Sequence, residues 1–163
     1  MKVEYNTKNW PYVRITFHNN TPTDDGFKKH LNNFRHLYKL CEENKSKMII
    51  IFDLRNVPSG SIQYLKQQAD FNKEISPLSL KYLEHSLFLT STIGKHILNL
   101  MFAIEKPVAE YTTFSSQKAL STFLINYDKQ HIKINNIKIN NTKTNDTETN
   151  DTETNDCVAA QLL

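Results

Sequence analysis

Polar and apolar positions alternate, recur helically or run together in distinct stretches of this chain, and these patterns end near residue 131. Tyr12 to Phe17 (YVRITF) alternates with a period of two, the mark of a half-buried strand. Lys2 to Tyr5 reads as a short strand before it, and Asn-Thr-Lys-Asn at 6–9 predicts a hairpin link. Asn19, Asn20, Thr21 and Pro22 supply turn chemistry, with Thr23 or Asp24 as N-cap of a long helix. Phe27, Leu31, Phe34, Tyr38 and Cys41 recur three or four residues apart in that helix and form one apolar stripe. Met48 to Phe52 (MIIIF) is a continuous apolar run ending in Asp53, which predicts a strand covered on both faces at the centre of the sheet.

Pro58, Ser59, Gly60 and Ser61 interrupt the pattern, and a second helix is expected from about Ser61 to Ile75, stopped by Pro77. Ser86 to Thr90 predicts another strand. Ser91 or Thr92 then caps a helix with Ile93, Ile97, Leu100, Met101 and Ile104 on one side. Pro107 to Thr113 gives a last strand at an edge, where an initial proline is tolerated. Ser115 or Ser116 opens a closing helix with Ala119, Leu120, Phe123, Leu124 and Tyr127 inward. The order ββαβαβαβα predicts an α/β fold, a single mixed-sheet α/β sandwich with helices for both faces.

Residues 131–163 read differently. Pentamers follow in register: INNIK from Ile134, INNTK from Ile139, then TNDTE from Thr144 and again from Thr149. A period of five matches neither helix nor strand, and apolar anchors cease after Ile139, so a disordered low-complexity tail is expected after a domain spanning 1–130.

The chain of 163 residues carries a net charge of +3, and the tail, with three lysines against five acids, lowers rather than raises it. Basic residues in the domain alternate with acids and amides, as at Lys28, Lys29, Glu42, Glu43, Lys45 and Lys47, a solvated surface rather than a nucleic-acid patch. Two cysteines, Cys41 and Cys157, make neither a disulfide framework nor a thiolate metal site. No run has the length of a membrane span, and the first residues lack a signal-peptide core, so a cytoplasmic protein is expected.

The element order, with IIIFDLRNVPSGSIQYL at its centre, resembles the SpoIIAA-like or STAS domain family. Members of that family carry an apolar strand ending in Asp, a serine-bearing loop and a helix directly after it. Trp10-Pro11 near the start, and Ala119 and Phe123 in the last helix, fit the same layout. The family's phosphorylated serine lies in Asp-Ser-Ser-Gly. The nearest match here is Ser59-Gly60-Ser61, in a shorter loop without the preceding Asp and with Gly60 between the serines. The resemblance implies a non-enzymatic module that binds a protein partner or senses a ligand.

Candidate chemistry is confined to two places. In the first, Asp53 ends the central strand, a common location for functional carboxylates in α/β sheets. Arg55 follows two residues later, where phosphotransfer families need a second acid, so an intraloop ion pair is the simpler expectation. A phosphate on Ser59 or Ser61 beside Gly60 would meet the positive end of a helix, although helix capping also accounts for a serine there. In the second, Ser91, Thr92, Gly94 and Lys95 open a helix that could hold an anion; His96 stands where a P-loop needs a hydroxyl. The six histidines show no metal-ligand spacing, and no cofactor is expected. Three roles follow: a docking module with an unidentified protein partner, a carrier or sensor of a small lipid or anion, and an enzyme using Asp53 with a distant histidine or lysine, which would need a pocket bringing Asp53 near His96 or His85.

Overall fold

A computed structural model describes residues 2–142, with side chains to 130. It divides into two units, Met1–Ser116 and Gln117–Leu163. In the first unit the elements run β1 (Val3–Asn9), β2 (Tyr12–Phe17), α1 (Asp24–Asn44), β3 (Met48–Leu54), a 3-10 segment (Ser59–Tyr64), α2 (Leu65–Glu74), α3 (Ser76–Tyr82), β4 (Leu83–Thr90), α4 (Thr92–Ile104) and β5 (Glu110–Phe114).

The five strands form one mixed sheet in the order β1-β2-β3-β4-β5. β1 and β2 are antiparallel and every later pair is parallel. The Met48 to Phe52 run thus lies in the central strand, and Ile49, Ile50 and Ile51, which point alternately to the two faces, are all buried. The expected hairpin link at 6–9 belongs instead to β1, and the chain reverses at Trp10-Pro11, a cis peptide, with Asn9 opposite Tyr12. β1 is an edge strand, so polar side chains there meet water and do not end it.

Helices for both faces were expected of the sandwich. Within this unit they share one face: Phe34 and Tyr38 of α1, Phe71 of α2, Tyr82 of α3 and Ile97 and Leu98 of α4 join Val13, Ile50 and Phe88 of the strands in one core. The strand order explains it. Successive parallel strands laid down in sequence order, joined by crossovers of one hand, carry each connecting helix to the same side.

Thr23 caps α1, accepting from the Gly26 N–H, and Ser91 caps α4, accepting from the Gly94 N–H. The expected single helix 61–75 is a six-residue 3-10 segment followed by α2. Pro77 does not end the helical region but occupies the first turn of α3, where its missing N–H has no intrahelical acceptor to lose. The stripe expected on α4 is rotated: Gly94, Ile97 and Leu98 are buried, whereas Ile93, Leu100 and Ile104 are exposed.

In the second unit, α5 (Gln117–Thr142) continues past the expected boundary at 131 through the first of the asparagine-rich pentamers. Leu120 and Leu124 of α5 are buried, and Ala119, expected inward, is exposed. The expectation of a tail over 143–163 lies outside the described residues.

Candidate ligand cavity

Alternation along β3 sends Phe52 and Leu54 to the helix-bearing face of the sheet and Asp53 to the other. Phe17 of β2 and Ser86 and Phe88 of β4 share that face, and with the helices above they enclose a cavity of about 160 Å³. Its floor is aromatic: the rings of Phe52 and Phe88 stack 4.9 Å apart, and Phe34 of α1 stacks on Phe52 at 6.0 Å. Phe27 and Tyr64 stack at 4.5 Å toward one end. At the other end the connection from α4 to β5 lines the cavity, and its Lys106 and Val108 are exposed, which places an opening to solvent there.

Polar groups on this lining are few and mostly committed. Tyr38 and Ser79 share a hydrogen bond of 2.7 Å between their hydroxyls, and the Gln68 amide donates to Asn72 Oδ1 at 2.9 Å along α2. His30 is 4% exposed. The Tyr5 hydroxyl donates to the His30 carbonyl at 2.9 Å and lies 2.7 Å from its Nδ1. Its single proton being used, Nδ1–H is assigned as donor to the Tyr5 oxygen, leaving Nε2 as acceptor in the neutral ring. Burial pushes the His30 pKa down to about 4, against a raising hydrogen bond with Gln68, so the ring is uncharged at neutral pH. Ser86 is 5% exposed and lines the cavity.

The residues singled out from sequence do not converge here. Asp53 lies on the opposite face, held by Arg55 Nε at 2.9 Å, Arg55 Nη2 at 2.7 Å and Arg14 Nη2 at 2.8 Å. Burial alone would raise its pKa, but the two guanidiniums bring it to about 2. Of the histidines weighed as its catalytic partner, His85 sits opposite Ile49, four residues along the sheet from the Leu89 that faces Asp53, and His96 is exposed on α4.

Neither Ser59 nor Ser61 caps the 3-10 segment, whose N-cap position is Pro58 with no side-chain bond. Ser61 is buried against the cavity, while Ser59 and Gly60 are exposed. At the second place, the Ser91 side chain occupies the Gly94 N–H and its carbonyl the Lys95 N–H, leaving those donors to the cap. Thr92 and Lys95 are exposed. Gly94 answers a packing demand: a Cβ there would stand 2.5 Å from the Leu54 carbonyl oxygen.

Sequence reasoning missed both His30 and Ser86. His30 carried a signal, since it falls three residues after Phe27 and four before Phe34 on the apolar stripe of α1. Ser86 read as the first residue of a strand, and only the sheet register, which pairs it with Ile50 and Tyr111, puts it over the core.

Among the described residues no group of three or more His, Cys, Asp or Glu could hold a metal ion, and no helix is long and apolar enough to cross a membrane. Compared with protein-family models, with curated proteins and with solved structures, the chain matches none of them.

Proposed function

We propose that this chain is a non-catalytic binding module whose occupant is a small apolar molecule held between the sheet and α1–α4. The observation that carries this reading is the aromatic cavity of about 160 Å³. Native cores are packed to crystal-like density with few voids larger than a water molecule. An apolar void of that size forfeits contacts on every side, and a ligand restores them. This is the carrier or sensor role, and a STAS-like fold accommodates it. An anion does not suit this lining, because a charge brought in would lack a buried counter-charge. Native mass spectrometry of the purified full chain tests it, with the unfolded chain as the reference. A retained small molecule released on unfolding is the expected result; a bare chain that also fails to take up added toluene ends the reading.

The protein-docking role implied by the STAS resemblance remains a second reading, favoured by one feature. Ile93 and Ile104 of α4, each 53% exposed, lie with Leu100 on the outward side of the helix. If that side docks a partner, Ile104→Asp abolishes capture of that partner from cell extract while leaving toluene binding intact; equal capture by both forms removes it.

A further inference from the structure

The occupant's chemistry can be narrowed beyond "small and apolar", an inference that rests on the ligand-binding reading above. We infer that the cavity takes an uncharged aromatic ring bearing one hydrogen-bonding substituent, and that the Ser86 hydroxyl meets that substituent.

Size comes first. A void of about 160 Å³ is close to the roughly 150 Å³ apolar cavity that accommodates benzene, so the occupant is a single ring rather than a fatty acyl chain. Shape follows from the floor, where Phe34, Phe52 and Phe88 lie nearly parallel in succession, with interplanar angles of 15° and 11°. Their faces are spent on one another, so ring edges remain for the face of a flat partner in edge-on contact.

Charge is excluded by what lines the interior. The one titratable imidazole, His30, is neutral and already held by Tyr5. The ionic side chains, Glu105 and Lys106, sit in the connection at the opening. A carboxylate or ammonium taken inside would lose its hydration with no opposite charge to receive it.

The polar substituent follows from Ser86. Its hydroxyl, one donor and two acceptors, belongs to a residue 5% exposed that lines the cavity from β4, so a polar substituent on the occupant meets a hydrogen-bonding group there. An apolar residue would fill this position in a sheet whose only task was packing.

Phenol, toluene and benzoate, added to the full chain and followed by amide and methyl chemical shifts, test this. Phenol and toluene are expected to give saturable shifts confined to the cavity lining, including Phe88 and Ile97, and benzoate none. Ser86→Ala is expected to weaken phenol roughly three- to tenfold relative to toluene, the span of one net hydrogen bond. In the unaltered chain, phenol ring protons should show nuclear Overhauser contacts to the Ser86 β-protons, a readout that decides the point alone if the variant does not fold. Equal effects of Ser86→Ala on phenol and toluene, or the absence of those contacts, overturn the role of Ser86 while the cavity reading stands. Benzoate bound in the cavity as tightly as phenol overturns the exclusion of charge. If none of the three binds, both readings fall together.

Discussion

Gly94, in the first turn of α4, lies against the end of β3 so closely that a Cβ on it would stand 2.5 Å from the Leu54 carbonyl oxygen and 3.1 Å from the Leu54 Cβ. Gly94 therefore marks where a helix meets a strand, and the following lysine does not make it a phosphate loop. Gly94→Ala gains helix propensity of about 1 kcal/mol. It also forces backbone against backbone, which costs more than that. The expected net loss is about 2 kcal/mol of stability, seen as a lower urea midpoint at unchanged slope.

The Asp53 carboxylate ties β2 to the loop after β3 through Arg14 and Arg55. Its folded pKa, about 2, lies below the unfolded value of 3.8. A carboxylate depressed in this way stabilises fully above the unfolded value and loses that contribution as pH falls through the folded one. Stability should accordingly drop by about 2 kcal/mol between pH 4 and pH 2. Asp53→Asn should cost about 2 kcal/mol at pH 7, because the Arg14 and Arg55 guanidiniums lose the buried carboxylate they share, and should flatten that acid limb. Urea unfolding across the pH series checks both.

His30 acts in a separate window. Its folded pKa of about 4 lies below the unfolded 6.5, so the unfolded chain binds the extra proton between those values and stability falls as pH drops from 6.5 to 4. Burial lowers His85 as well, in the same direction. A loss of about 3 kcal/mol is assigned to His30. Comparing His30→Gln with the unaltered chain over pH 7 to 4.5 isolates it: the variant should lose most of the slope, and an unchanged slope would shift the assignment to His85.

Cys41 is fully buried in the core, and burial pushes its thiol up to about 11. The thiolate is the reactive form, so in a Cys157→Ser chain a disulfide reagent should label Cys41 only at the rate of unfolding. Labelling within seconds under native conditions would contradict the packing of α1 on β3.

How far each feature was legible depended on how local its cause is. Thr23 as a cap, the stripe from Phe27 to Cys41, the apolar run of β3 and the pairing of Asp53 with Arg55 involve residues near one another in the chain, and each was readable from spacing alone. Pro77 was misread because a proline ends one helix and begins the next with the same ring geometry. The face of α4 that turns inward was misread because Ile93, Leu100 and Ile104 are as apolar as Ile97 and Leu98. What decides between them is the Gly94 contact with Leu54, forty residues away.

The sequence by itself determined that residues before 131 alternate strand and helix, that Met48 to Phe52 occupies the middle of a mixed sheet, and where α1 and α4 begin. Short-range sterics and hydrogen bonding suffice for those outcomes. Only the tertiary structure decided that α1–α4 share one face, that Asp53 and Ser61 part to opposite sides of the sheet, and that Ser86 looks into an aromatic cavity beneath His30. Those outcomes depend on strand order and register, which bring together residues from five elements, and no periodicity along a single stretch encodes them.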